Sequence, residues 1–178
     1  PEQDQTASTR IALRIAAERK VIALLPGSRQ SELNYMAGTF IATAKLLAQR
    51  IENPLFLVPL VSRETREIFE AALYRADAAE LPLTILFGHA RDALAAADVA
   101  LVASGTASLE AALLKKPMVI AYKMAEASFQ LMRRMGYLPY VGLPNILAEE
   151  FVVPELMQHD ATPENLAQAL LNTLNDTV

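Results

Sequence analysis

The sequence predicts an α/β domain built on a doubly wound, mostly parallel sheet. Short, continuously apolar segments of strand length recur along the chain, which is typical of parallel strands buried on both faces. Longer segments with apolar residues at helical spacing separate them. Turn-forming residues such as Pro26 and Gly27 stand where strands end. Strands that alternate with helices require βαβ crossovers, and these place the strands parallel in one sheet.

The predicted strands are runs of mostly aliphatic residues. They are residues 20–25, 54–60, 83–87, 99–103 and 117–122. The predicted helices are residues 11–19, 31–51, 63–77, 92–97, 106–115 and 125–135, followed by a final helix after residue 161. In that final helix Thr162 suits the N-cap and Pro163 suits the first helical position. Because the sequence has no linker or internal repeat, residues 1–178 are predicted to form a single Rossmann-like domain.

The composition excludes several classes of protein. The 178 residues are 53% hydrophobic and 20% charged, as in a folded domain rather than a disordered segment. The net charge of −4 argues against a nucleic-acid partner, because nucleic-acid binding requires a basic face. Cysteine is absent from the sequence, which excludes disulfides and thiolate metal sites.

The hydropathy pattern predicts a soluble chain whose membrane contact is at most peripheral. No apolar run reaches the roughly 18 residues that a membrane-spanning helix needs. Residues 1–9 are polar and lack the apolar centre of a signal peptide. Since Pro1 opens the sequence in place of methionine, we expect a fragment of a longer protein.

The loop after the first predicted strand has the residues of a phosphate site. Ligands of doubly wound sheets bind beyond the carboxyl ends of the strands. Gly27 allows a sharp turn, Ser28 offers a hydroxyl, and Arg29 adds forked charged donors beside a helix N-terminus. The alternative is a helix cap with a solvated arginine. The loop matches neither the G-x-G-x-x-G dinucleotide pattern nor the P-loop pattern.

Two further loops are unusual in content. After the fourth predicted strand, Ser104, Gly105 and Thr106 again place hydroxyls and N–H groups at a helix start. Glu110 lies one turn further, where its carboxylate suits the vicinal hydroxyls of a ribose; the alternative is that it only complements the helix dipole. Asn145 is the one polar side chain of an apolar loop, and it either binds a ligand or stabilises a turn.

The order of these motifs resembles the lipid-A-disaccharide synthase family from about residue 19 onward. The matching runs are LLPGSR at 24–29, ASGT at 103–106 with Glu110, KPMV at 116–119 with Tyr122, LPNILA at 143–148 and VPELMQ at 153–158. Each run is weakly specific alone, but together they are in the family's order and at similar spacing.

The resemblance implies a glycosyltransferase of GT-B architecture, in which two Rossmann-like domains face a cleft. This chain would be the C-terminal domain, with the N-terminal acceptor domain missing. The donor would be UDP-2,3-diacylglucosamine and the acceptor 2,3-diacylglucosamine 1-phosphate, joined with inversion and without metal or cofactor. The enzyme would be cytoplasmic and would contact the inner membrane peripherally. A second copy of the chain, forming a homodimer, is a further possible partner.

The resemblance also implies roles for individual residues. Gly27, Ser28 and Arg29 would hold the donor diphosphate, and Ser104, Gly105 and Thr106 would line the same pocket. Glu110 would bind the ribose, and Asn145 would lie near the nucleotide. Phe87 and Gly88 would lie near the uracil, after a strand that is expected to be central in the sheet. The catalytic base would lie in the missing half. Asp98 is no substitute, because it starts a strand and is far from the carboxyl ends. The chain alone is therefore expected to be inactive.

Other interpretations remain open from the residues. One is another GT-B enzyme that uses UDP-N-acetylglucosamine, such as a peptidoglycan transferase or a UDP-sugar epimerase. Another is a non-catalytic nucleotide-binding module of flavodoxin-like topology. A dehydrogenase is disfavoured because the glycine fingerprint is missing. Residues 124–140 carry apolar side chains with Arg133 and Arg134, which suit either the core face of a crossover helix or a membrane surface.

Overall fold

A computed structural model describes residues 2–103, 106–122, 155–157 and 160–176. The strands are β1 Lys20–Leu25, β2 Pro54–Leu60, β3 Leu83–Phe87, β4 Val99–Val102, β5 Met118–Tyr122 and β6 Glu155–Met157. The helices within these ranges are α1 Glu2–Ala12, α2 Gln30–Arg50, α3 Arg63–Arg75, α4 Ala90–Ala96, α5 Thr106–Leu113 and α6 Pro163–Asp176.

The six strands form one parallel sheet in the order β3-β2-β1-β4-β5-β6. This confirms the predicted doubly wound α/β class. The chain runs outward from β1 to β3, crosses back, and continues outward from β4 to β6. The direction of winding therefore reverses between β1 and β4, which pair in register from Ile22 opposite Val99 to Leu25 opposite Val102.

The core has two apolar layers, one on each face of the sheet. In β1, Ile22 and Leu24 pack into the layer that contains Phe40 of α2. Val21 and Ala23 face the opposite layer, beside the helices α4 and α5. Because residues 21–25 of β1 are buried, they are all apolar, and this run is why the sequence predicts the position of the strand correctly.

The first helix differs from the prediction. It spans Glu2–Ala12 instead of residues 11–19, although its sequence is mostly polar. Its position depends on Arg10, which is buried and donates from Nε to the Ala96 carbonyl oxygen at 2.9 Å and from Nη2 to Asp98 Oδ2 at 2.9 Å. Such long-range contacts leave no periodic apolar pattern in the sequence, so local reasoning missed this helix.

Other boundaries differ from prediction by one or two residues. The helices α3 and α5 end at Arg75 and Leu113, and left-handed residues follow them at Asp77 and Lys115. The final helix starts at Pro163 as predicted, with Thr162 Oγ1 accepting the Asn165 N–H at 3.2 Å. The short strand β6 was not predicted. The predicted helix at 125–135 lies outside the described residues.

Within the described ranges no helix combines the length and the hydropathy that crossing a bilayer requires.

Candidate functional site

The carboxyl ends of β1 and β4 mark the place in this sheet where a ligand is expected to bind. The N–H of Ala103 donates to the carbonyl oxygen of Leu25 at 2.9 Å, so the loops that follow β1 and β4 leave the sheet side by side. In open α/β sheets, ligands bind at the point where the winding direction reverses. The ends of the two strands that precede these predicted loops are thus adjacent.

The loop after β1 is shaped by Gly27 and Glu32. Gly27 has φ of 130°, a conformation that residues with a Cβ rarely adopt. A Cβ added there would lie 2.5 Å from the Cβ of Glu32, which is closer than atoms can pack. The loop therefore needs glycine both for its backbone angle and for the close approach of the Glu32 side chain.

Replacing Gly27 with alanine should destabilise the protein by about 1–3 kcal/mol, because the new methyl group meets Glu32 and the backbone is strained. The matched control is Gly38→Ala in α2, where nothing lies within 4 Å of the added Cβ. That change should stabilise by about 0.5–1 kcal/mol, because alanine is a better helix former. Thermal unfolding of both variants checks the pair. Equal effects of the two substitutions would contradict this account of the loop.

Ser28 and Arg29 face solvent next to the N-terminus of the 21-residue helix α2. Arg29 is the N-cap residue, and its backbone N–H donates to Glu32 Oε1 at 3.3 Å. Within the part of the chain that the structure describes, the Arg29 guanidinium forms no ion pair. A guanidinium outside any described ion pair, next to a helix N-terminus, is suited to a phosphate.

The loop after β4 is described only in part. Thr106 opens α5, as the sequence predicted, and Ser108 is buried in its first turn. Glu110 follows one turn from Thr106 and is exposed, so its carboxylate is accessible to a ligand. Ser104 and Gly105 lie outside the described residues, as does Asn145 of the third predicted loop. Their roles stay predictions.

The strand before Phe87 and Gly88 is not central, contrary to the prediction. The sheet order makes β3 an edge strand, because the crossover after it returns to pair β4 with β1. The Gly88 N–H donates to the carbonyl oxygen of Leu60 at 2.7 Å, which extends the hydrogen bonding between β2 and β3 to the start of this loop. Helix α4 then packs against β2 and β1. The loop thus stays at the carboxyl edge of the sheet.

At this rim the sequence analysis named Phe87 but missed its exposed apolar neighbour in the sheet, Val61. Phe87 is 60% exposed and Val61 is 56% exposed. Phe87 ends β3 opposite Leu60, the last residue of β2, and Val61 follows Leu60 directly. The sequence does not distinguish Val61 from the strand before it, because Val61 continues the same apolar run. Glu32 was also missed, although a carboxylate at the third helical position often reaches back to the N-cap.

The side chains of Asp98 and His89 each have a partner close by. Asp98 pairs with Arg10 and accepts the Val21 N–H at 2.8 Å at the amino edge, as its predicted place at a strand start requires. His89 Nδ1 lies 3.2 Å from Asp92 Oδ2 on the exposed first turn of α4. Within the described ranges no group of three or more His, Asp or Glu side chains is arranged to hold a metal ion.

Comparison with known proteins identifies the family. The model of the lipid-A-disaccharide synthetase family matches residues 1–178. The lipid-A-disaccharide synthase of Azoarcus sp. (strain BH72) is 61% identical over 176 residues, which are 99% of this chain and 45% of that protein. The one of Dechloromonas aromatica (strain RCB) is 56% identical over 177 residues, covering 99% and 46%. The chain thus spans about half the length of the curated relatives it matches.

Solved structures show the fold. E. coli ADP-heptose LPS heptosyltransferase II aligns with a TM-score of 0.70 at 16% identity, over 98% of this chain and 52% of that one. WaaG, a glycosyltransferase involved in lipopolysaccharide biosynthesis, aligns with a TM-score of 0.62 at 17% identity, over 98% and 43%. The fold is therefore a Rossmann-like domain of the GT-B glycosyltransferase type. Together with the family match over the whole chain, this means that the chain belongs to the lipid-A-disaccharide synthetase family.

Proposed function

We propose that this chain is the C-terminal, donor-binding domain of a lipid-A-disaccharide synthase. The full-length enzyme would transfer 2,3-diacylglucosamine from UDP to 2,3-diacylglucosamine 1-phosphate, with inversion at the anomeric carbon. The observation that carries the proposal is the junction of β1 and β4, where the Ala103 N–H bonds to Leu25 and two loops suited to phosphate start together. The named relatives, about twice as long as this chain, support it.

In this proposal the donor diphosphate binds at the N-terminus of α2. Ser28 and the Arg29 guanidinium are exposed there, and Thr106 begins the neighbouring helix α5. Glu110 would accept hydrogen bonds from the ribose, and Phe87 with Gly88 would contact the uracil at the rim. Ser104, Gly105 and Asn145 would complete the pocket. Each contact is of a kind that helix N-termini, guanidinium groups and carboxylates make readily.

Arg29 and the helix N–H groups would act chiefly during bond cleavage. As the glycosidic bond breaks, negative charge develops on the β-phosphate of the leaving UDP. Fixed donors aimed at that charge lower the barrier, because they need not reorganise when it appears. Arg29 is suited to this task because its charge is permanent and its guanidinium is not paired with any described carboxylate.

The catalytic base would come from the other half of the full-length enzyme. Asp98 is held at the amino edge by Arg10, and Asp92 forms a surface pair with His89. Asp98 is therefore away from an acceptor hydroxyl at the carboxyl edge, and Asp92 already has His89 as its partner. The chain alone would therefore bind nucleotide but transfer no sugar. Because both sugar substrates carry acyl chains, the enzyme would work peripherally at the inner membrane.

Two measurements test this proposal. The full-length protein, given both acylated substrates, should release UDP and form a tetraacyl disaccharide 1-phosphate that mass spectrometry detects. Isotope-labelled chain titrated with UDP should show shifts at Arg29 and Glu110, at a dissociation constant of roughly 1 mM, or about −4 kcal/mol, for half a site. Transfer to a different acceptor would indicate another UDP-sugar enzyme. Preference for AMP or NAD over UDP would overturn the glycosyltransferase proposal.

A further inference from the structure

We infer that Glu32 is a positioning residue that holds the loop of Gly27, Ser28 and Arg29 in the shape that presents the Arg29 guanidinium to the donor diphosphate. The inference deepens the proposed function and rests on it for the identity of the ligand. The contacts that support it lie entirely within the described residues 27–32.

The first contact fixes the end of the loop. Glu32 is in the first turn of α2, and its Oε1 accepts the backbone N–H of Arg29 at 3.3 Å. This N–H is one of the donors that a helix start leaves without an intrahelical partner. The side chain therefore reaches back over the helix N-terminus and ties the N-cap residue to the first turn.

The second contact fixes the beginning of the loop. The Cβ of Glu32 stands 2.5 Å from where a Cβ on Gly27 would be, and its Cδ and Oε2 stand 3.1 Å and 3.2 Å away. The whole Glu32 side chain thus lies across the open face of Gly27. Since one side chain contacts both Gly27 and Arg29, the path of Ser28 between them is constrained at both ends.

The arrangement also keeps the charge of Arg29 available. A glutamate three residues from an arginine is well placed to form an ion pair with it, yet the carboxylate of Glu32 bonds to the main chain. Among the described residues no salt bridge involves Arg29 or Glu32. The loop is therefore held by the carboxylate while the guanidinium stays open to an anion.

The hydrogen bond and packing of Glu32 can be tested separately from its negative charge. A carboxylate close to a diphosphate repels it, so the benefit of Glu32 must come from its hydrogen bond and its packing. Glu32→Gln keeps an oxygen acceptor of the same length and removes the repulsion. Glu32→Ala removes the acceptor as well. The two variants should consequently behave differently toward UDP, although both lose the same negative charge.

The experiment uses the full-length protein and three measurements. These are the dissociation constant of UDP by calorimetry, the steady-state kcat and KM for sugar transfer, and hydrogen exchange of a peptide spanning residues 26–33. In Glu32→Ala we expect UDP affinity and kcat each to fall about tenfold to a hundredfold, because a displaced cation loses its alignment. Hydrogen exchange at Arg29 should become faster. Glu32→Gln should stay within about threefold of wild type in all three measurements, because it retains a neutral hydrogen bond.

The matched control is Thr65→Ala at the start of α3, where Thr65 and Ser62 form a reciprocal cap after the neighbouring strand β2. It should lower Tm without changing UDP affinity. Wild-type UDP affinity and kcat in Glu32→Ala, or equal losses in Glu32→Gln and Glu32→Ala, would overturn the inference. If the wild-type protein neither binds UDP nor transfers sugar, the proposed function fails, and the exchange contrast between the two Glu32 variants still decides whether the loop contact exists.

Discussion

Replacing Arg29 with alanine in the full-length protein should lower kcat for sugar transfer about 100-fold to 1,000-fold. The exposed guanidinium is in no ion pair within the described residues, so its loss should leave the fold intact. Its proposed role is to stabilise charge that appears on the diphosphate only as the bond breaks. The loss should therefore be larger in kcat than in the affinity for the intact donor. Steady-state kinetics with the acylated substrates measures both.

Two companion variants make the Arg29 result specific. Arg50→Ala removes the same charge from the last turn of the same helix, far from the proposed site, and should leave kcat unchanged. Arg29→Lys keeps a positive charge but loses the forked donors, so its kcat should lie between those of wild type and Arg29→Ala. A kcat within about threefold of wild type in Arg29→Ala would show that the leaving group is stabilised by something other than this residue.

Replacing Arg10 with methionine should lower the free energy of unfolding by about 3 kcal/mol. Arg10 is 7% exposed and donates to the carbonyl oxygens of Ala96 and Ala17 at 2.9 Å each. It also pairs with Asp98 at 2.9 Å. Without it, the two carbonyl oxygens lose this donor, and Asp98 loses its cation although it still accepts the Val21 N–H. We expect the lower end of the usual range for a broken buried pair, because the Asp98 side chain is 31% exposed.

Calorimetric unfolding of the full-length protein tests this, with Arg63→Met as the control. Arg63 forms an exposed pair with Glu67 at 3.2 Å, one turn apart on α3, and losing it should cost about 0.3–0.5 kcal/mol. Well below the melting temperature, Arg10→Met should retain its kcat, since Arg10 lies at the amino edge of the sheet. Similar stability losses in the two variants would contradict a structural role for the buried pair.

Local sequence was sufficient for the elements whose pattern reflects burial. The strands β1, β2 and β3 have the predicted bounds, because most of their residues are aliphatic, as is typical of strands in a covered parallel sheet. The start of α6 was also predictable, since Thr162 and Pro163 act through contacts within one helical turn. The resemblance of the motifs to a known family was confirmed by the family match over residues 1–178.

The candidate site was predictable in its parts. Gly27 and Arg29 could be singled out because a glycine turn followed by an arginine at a helix start is a pattern suited to a phosphate. Glu32 could not, because a glutamate in the first turn of a helix is common and stabilises the helix dipole in any protein. Its contact across Gly27 depends on the path of the loop in space, so only the structure revealed it.

The sequence by itself determined most of the segments that become strands and helices, because those choices depend on contacts between residues a few positions apart. The helix α1 and the strand β6 are the exceptions. The order of the strands was decided only by the tertiary structure. β1 pairs with β4, and β3 lies at the edge although it was expected in the centre. Likewise α1 is held by Arg10 through partners more than eighty residues away, at Ala96 and Asp98. Contacts between residues so far apart in the sequence depend on which faces of the strands and helices are buried against each other. A pattern within a few neighbouring residues does not predict them.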